Sequence, residues 1–148
     1  MTVHENVYTI AMMYNKTMTA AKKKATEILD LCGFASVADW DSSKLPIEKR
    51  KWLDMARCLA ANPKLLMLDE CLAGLTPAEM GESIELVKRI NQTGVTILFI
   101  EHVMSAVTSL CGRVVVLEEG ALLSEGNPEV VMHEERVIKA YLGEDYDI

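Results

Sequence analysis

The sequence predicts an α/β fold: a helical region first, then a partial parallel sheet, then a β-hairpin with further helices. Two observations carry that prediction. Residues 65–68 are consecutive apolar side chains that run straight into an acidic pair, Asp69 and Glu70. Residues 95–100 form a second apolar run, rich in β-branched residues, that ends in Glu101 and His102. A helical pattern separates the two runs, and strand–helix–strand is the pattern of parallel strands joined by a crossover. Ligands of open α/β folds bind outside the C-terminal ends of the strands. The expectation is that Asp69, Glu70 and His102 gather at one edge of one sheet.

The elements follow in order. Val7, Ile10, Ala11 and Tyr14 recur at helical spacing, as do Ala21, Ala25, Ile28, Leu29 and Cys32, with Gly33 as a C-terminal stop. Residues 34–40 read as a connector. A third helix is expected over 47–61, with Trp52, Met55, Ala56 and Leu59 on one face. Asn62-Pro63 ends it, because proline disfavours helical geometry in the residue before it. After the strand at 65–68, Thr76 can cap a helix that has Pro77 at its first position and Glu79 to complete a capping box. Ile84, Val87 and Asn91 continue one face of that helix until Gly94. The run 95–100 is expected to be a strand covered on both sides. Val103, Ala106, Val107 and Leu110 make a short amphipathic helix. Residues 113–118 and 121–125 flank a Glu119-Gly120 turn and read as a hairpin. Asn127-Pro128 opens a terminal helical region that includes Val137, Ile138, Tyr141 and Leu142.

Composition narrows the functional classes. The chain has 148 residues, half of them hydrophobic, enough for one ordinary core. A net charge of −7 argues against nucleic acid, because phosphate neutralisation needs clustered Lys and Arg. The short basic runs at 22–24 and 49–51 read as solvated helix faces. The four cysteines, Cys32, Cys58, Cys71 and Cys111, contain no CxxC pair, which favours reduced thiols over a metal site or disulfide framework. No apolar run approaches the roughly 20 residues that cross a bilayer, and no signal-peptide pattern follows Met1.

One further set of residues carries a resemblance. AspGlu after an apolar strand, the turn Ala73-Gly74-Leu75-Thr76, and a second apolar strand before His102 resemble the Walker B strand, D-loop and switch histidine of an ABC-transporter ATPase. The same order continues through SerLysLeuPro before ArgCysLeuAlaAlaAsnProLys and on to the C-terminal ArgValValValLeuGluGluGly segment. The tail, ArgValIleLysAlaTyrLeuGlyGlu, is most similar to the ATPase subunits of branched-chain amino-acid importers. The resemblance implies a P-loop NTPase-like core, with residues 1–62 a helical subdomain and 63–148 the C-terminal part of the α/β core.

It also implies roles. Asp69 matches the aspartate that holds Mg²⁺, a hard cation that takes oxygen ligands. Glu70 matches the general base that polarises the attacking water, and His102 the histidine that contacts the γ-phosphate. Cys71 stands where proline is common, which changes loop stiffness rather than chemistry. The segment Leu45, Pro46, Ile47, Glu48 and Lys49 stands where most family members have LeuSerGlyGlyGln, which clamps the γ-phosphate held by the opposing subunit. Here the chain departs from the pattern. Proline offers neither N–H nor hydroxyl, isoleucine blocks the close approach that glycine permits, and Glu48 adds an anion. The start of the helix keeps N–H donors and a favourable dipole, and Lys49, Arg50 or Lys51 could supply positive charge. His4 and His133 have no such context.

An absence limits the function. No GlyxxxxGlyLys[Ser/Thr] occurs among these residues, and none of the eight glycines has that arrangement. That loop cradles the phosphates of bound ATP. The family's glutamine loop is missing as well. The chain therefore reads as the C-terminal part of an importer ATPase that begins inside its helical subdomain. The intact enzyme would use ATP and Mg²⁺, pair with a second ATPase subunit and with membrane subunits, and sit on the cytoplasmic side of the inner membrane. The chain alone is expected to bind neither ligand well. A competing expectation is a non-catalytic, homodimerising module that pairs through an uncovered sheet edge. A DNA-repair or chromosome-organising ATPase fits less well, since no sustained heptad pattern is visible.

Overall fold

The computed structural model describes residues 1–142, with Leu142 described by its backbone alone. The side chain of Leu142, and Gly143 and Glu144 of the tail motif, lie outside the described residues. The chain divides into two compact units, Met1–Ile100 and Glu101–Ile148, each considered by itself.

The first unit opens with three helices, α1 (Val3–Tyr14), α2 (Met18–Leu31) and α3 (Ile47–Ala60). Thr2 caps α1: its hydroxyl accepts from Glu5 N–H while its own N–H donates to the Glu5 carboxylate, so two otherwise orphan donors are satisfied. The N–H groups of Val3 and His4 donate to the carbonyls of Trp40 and Ala38, which ties the connector to the start of the helix. At the far end of α2, Gly33 takes φ 75°, and the N–H of Phe34 reaches the Leu29 carbonyl. Gly33 N–H donates to Asp30, completing a Schellman stop of the kind that favours glycine. The connector itself holds two short 3₁₀ turns, Ala35–Val37 and Ser42–Lys44.

The three helices pack on one another through Val3, Val7 and Ala11 of α1, through Ala21, Ala25, Ile28 and Leu29 of α2, and through Trp52, Met55, Ala56 and Leu59 of α3. The faces expected for α2 and α3 are buried. Tyr14, expected on the apolar face of α1, is instead 58% exposed. It lies in the last turn of that helix, with Met12, Met13 and Met18 also exposed around it.

Strand β1 (Leu65–Asp69), helix α4 (Pro77–Gln92) and strand β2 (Thr96–Ile100) complete the unit. The two strands are parallel, with Met67 opposite Leu98 and Asp69 opposite Ile100. Thr76 and Glu79 form the expected capping box, with Pro77 at the first helical position. The buried face of α4 differs from the expected one: it is Ser83, Leu86, Val87 and Ile90, while Asn91 is exposed. Ser83 is polar, so counting apolar residues passed over it. It is buried because its hydroxyl accepts from the Trp52 indole N–H at 2.9 Å, which locks α3 to α4. The strand 95–100 is also not covered on both sides. Leu65, Met67, Leu98 and Ile100, all on one face of the sheet, are 50%, 68%, 48% and 52% exposed. Leu66 and Leu68 point the other way and are buried. Apolar residues at every position describe what a strand tolerates, not which neighbours are present.

The second unit holds α5 (Met104–Leu110), the antiparallel hairpin β3 (Val114–Glu118) and β4 (Ala121–Gly126), and the helices α6 (Pro128–Val131) and α7 (Glu135–Leu142). Glu119 and Gly120 both have positive φ, 48° and 82°, as a tight primed turn requires. Val116, Val131 and Val137 form its small core, with Val114, Leu123 and Met132 against them. Ser124, also buried, donates to the Glu134 carboxylate, and Arg136 closes the cluster.

Candidate functional site

Asp69 is the last residue of β1, and its side chain is exposed at the C-terminal tip of the strand. The next residue, Glu70, leaves the strand sharply. Its N–H still donates to the Ile100 carbonyl at 2.9 Å, so it remains tied to the sheet. Its φ is 44°, in the left-handed region that side chains with a Cβ rarely adopt. Strain of that kind persists where the surroundings hold it, and it concentrates at functional sites. Asp69 and Glu70 therefore follow one another at one strand tip.

The turn that follows is built from two overlapping hydrogen bonds. Ala73 N–H donates to the Glu70 carbonyl and Leu75 N–H to that of Leu72. Leu72 is buried, and Gly74 takes φ 75°. Thr76 then begins α4. Its N–H and its hydroxyl both donate to the Glu79 carboxylate, which holds that carboxyl below the usual glutamate range.

The segment Leu45, Pro46, Ile47, Glu48 and Lys49 forms the entry to α3. Leu45 is buried, and Pro46 is the N-cap, with no side-chain cap bond. The first bond of the helix ladder runs from Arg50 N–H to the Pro46 carbonyl. The N–H groups of Ile47, Glu48 and Lys49 thus precede the ladder and face outward at the positive end of the helix dipole. Ile47 is 70% exposed, a bulky side chain at the place where a glycine would admit a ligand. The three cations that follow are each engaged within the unit, rather than forming the plain solvated face read from their sequence. The Lys49 ammonium lies 3.3 Å from Glu82 and 3.4 Å from the centre of the Trp52 ring. Arg50 donates to the carbonyls of Leu45 and Ser43. Lys51 donates to the carbonyls of Cys71 and Ala73, at 3.2 and 2.5 Å. Nothing in the local sequence marked these partners, since each lies on a different turn or element.

His102 belongs to the second unit. Its imidazole is 60% exposed, while the Glu101 side chain beside it is fully withdrawn from solvent, with 3.9 Å between Nδ1 and the carboxylate. The backbone N–H of His102 donates to that same carboxylate at 3.3 Å. Among the described residues, no group of three or more His, Cys, Asp or Glu is clustered to hold a metal by itself. No helix among them is long and apolar enough to cross a membrane.

Comparison with known proteins places the fold. Residues 121–147 match the family model described as branched-chain amino acid ATP-binding cassette transporter. The chain is 36% identical over 132 residues to the high-affinity branched-chain amino acid transport ATP-binding protein LivG of Escherichia coli K12, covering 88% of this chain and 52% of that protein. It is 34% identical over 139 residues to the methionine import ATP-binding protein MetN 1 of Staphylococcus aureus USA300, covering 93% of this chain and 41% of that one. It thus spans about half the length, or less, of the curated relatives it matches. Among solved structures, an ATP-binding cassette of an ABC transporter in its ADP conformation superposes with a TM-score of 0.84 at 26% identity, covering 97% of this chain and 63% of the other. The protein cbiO1 from Clostridium perfringens, part of an ABC transporter complex, does so with a TM-score of 0.84 at 29% identity, covering 93% and 55%. The fold is that of ABC ATPase domains.

Proposed function

We propose that this chain, similar over nearly its whole length to ABC-transporter ATP-binding subunits, supplies the water-activating and metal-holding residues of an importer ATPase. In its intact form the enzyme couples ATP hydrolysis to solute import. The likeness to LivG and the family match favour branched-chain amino acids as the solute. The observation that carries the reading is the pair Asp69 and Glu70 at the tip of a parallel strand, with Glu70 held in a left-handed backbone conformation.

The residues suit MgATP. Asp69 offers an exposed carboxylate, and Mg²⁺ is commonly held by one or two carboxylates with phosphates and water filling its other positions. When bound there, Mg²⁺ offsets the charge of the phosphates. Glu70 accepts the proton of the attacking water, and His102 holds the γ-phosphate by a hydrogen bond. The N–H groups of Ile47, Glu48 and Lys49 face the nucleotide of a second subunit, as helix N-termini do toward phosphates. The turn Ala73, Gly74, Leu75 and Thr76 lies at that interface. Residues 1–62 act as the helical subdomain that passes closure to membrane subunits, and 63–148 as the C-terminal part of the α/β core. The assembly sits on the cytoplasmic side of the inner membrane. Without a phosphate-cradling loop among its residues, the chain by itself binds MgATP feebly and turns none over.

The test joins this chain in frame behind the P-loop-bearing part of LivG. The chimera is expected to hydrolyse ATP in a Mg²⁺-dependent manner, and Glu70→Gln to lower turnover by roughly 10²- to 10⁴-fold. Unchanged turnover in Glu70→Gln would refute the assignment. Micromolar MgATP binding by the chain alone, measured by calorimetric titration, would refute the predicted dependence on a separate phosphate loop.

One observation favours a second reading. The exposed apolar face formed by Leu65, Met67, Leu98 and Ile100 suits a homodimerising, non-catalytic module, since uncovered sheets and edges invite pairing. Light scattering over a range of concentrations separates the two: a discrete dimer supports the module, and a monomer at every concentration removes it.

A further inference from the structure

We infer that Lys51 is the positioning residue for the turn that presents Glu70. Its ammonium reaches from the second turn of α3 to the carbonyl oxygens of Cys71 and Ala73. Those two carbonyls alternate with the two that the turn uses internally, on Glu70 and Leu72, which accept from Ala73 and Leu75. The turn's own amides take one set, and a single cation takes the other.

The location of this clamp matters because of what stands on either side of it. Glu70, immediately before Cys71, holds a left-handed backbone at φ 44°, and Gly74, immediately after Ala73, holds another at φ 75°. Gly74 takes its conformation without strain, whereas that of Glu70 persists only where its surroundings hold it. Glu70 N–H is tied to the sheet at the Ile100 carbonyl, and Thr76 opens α4. Lys51 acts between them. Hydrogen bonds to a charged donor are about twice as strong as neutral ones, and an ammonium can serve both carbonyls at once. Lys51 also starts from the same helix as Ile47 and Glu48, so the clamp couples the entry of α3 to the acidic strand tip within one subunit. It acts through the backbone of the turn.

The consequence for hydrolysis rests on the function proposed above; the clamp itself does not. The experiment is therefore run without nucleotide, on the full chain, so that a chain that never handles ATP still answers it. Amide hydrogen exchange is measured by NMR for the unsubstituted chain, Lys51→Met and Lys51→Arg, together with the HN–Hα coupling of Glu70, which reports its φ. In Lys51→Met the amides of Ala73 and Leu75 should exchange roughly tenfold faster or more. The Glu70 coupling should move toward an averaged value, while the interiors of α2 and α4 keep their protection. Lys51→Arg, which keeps a cationic donor, should restore most of both signals. Unchanged exchange at Ala73 and Leu75 in Lys51→Met would overturn the inference. So would a uniform loss of protection across the helices, which would make Lys51 a general packing residue.

Discussion

Replacing Glu70 by glycine should stabilise the protein relative to replacing it by alanine, even though both remove the carboxylate that the proposed chemistry needs. Both variants lose the same side chain and the same contacts beyond the Cβ, so the difference between them isolates a single methyl group. At φ 44° that Cβ crowds the following carbonyl, a conflict worth about 1–2 kcal/mol for L-residues in the left-handed region. Glycine loses about 0.5–1 kcal/mol more than alanine on folding, through its freedom in the unfolded chain. At the midpoints of those ranges the net should favour the glycine variant by about 0.75 kcal/mol. In ordinary helical or extended backbone the sign reverses. Urea unfolding followed by far-UV circular dichroism measures the difference, with equal slopes required of the two variants. If the alanine variant equals or exceeds the glycine variant in stability, Glu70 carries no backbone strain. Its conformation is then not held for function.

Three further outcomes are expected. Ser83→Ala leaves the buried Trp52 indole N–H without its acceptor and should cost about 1–3 kcal/mol in the same unfolding assay, where exposed serines cost little. Glu79 accepts hydrogen bonds from Thr76, which lower its pKa below the usual 4.5. Its contribution to the start of α4 is therefore complete above the ordinary carboxylate pKa and is lost as pH falls through the lower folded value, a decline that the difference from Glu79→Gln across pH 5 to 2 should isolate. Burial pushes the Cys32 thiol up to about 12 against the opposing charge of Arg89. Iodoacetamide near pH 8, read by peptide mass spectrometry, should label exposed Cys58 in the folded chain and Cys32 only after unfolding.

Much of this fold was legible because its local signals act locally. Thr76, Pro77 and Glu79 specify a helix start through bonds that span three residues, and Gly33 specifies a stop through its own φ. Both appear where the sequence put them. The Glu119-Gly120 turn worked for the same reason. What escaped depends on partners distant in sequence. Ser83 is buried because Trp52 supplies its hydrogen bond, and the buried face of α4 runs through it with Leu86, Val87 and Ile90, rotated from the expected Ile84, Val87 and Asn91. Lys49, Arg50 and Lys51 look like a solvated charge run, yet each is committed to a separate group. The apolar pattern of 95–100 fits a strand covered on both faces, whereas Leu98 and Ile100 are half exposed. At the candidate site, the apolar run before Asp69 and Glu70 is strand β1, which ends at Asp69. The left-handed backbone of Glu70 was not readable, because glutamate carries no preference for it.

We propose, centrally, that Asp69, Glu70 and His102 serve one metal-bound triphosphate. Manganese tests it most directly, because a paramagnetic ion in place of magnesium broadens only nearby resonances. With Mn²⁺ and a non-hydrolysable ATP analogue in the LivG chimera, the signals of Asp69, Glu70 and His102 should broaden together while those of His4 and His133 stay sharp. A His102 signal as sharp as those of the other two histidines, with nucleotide bound, would contradict the account.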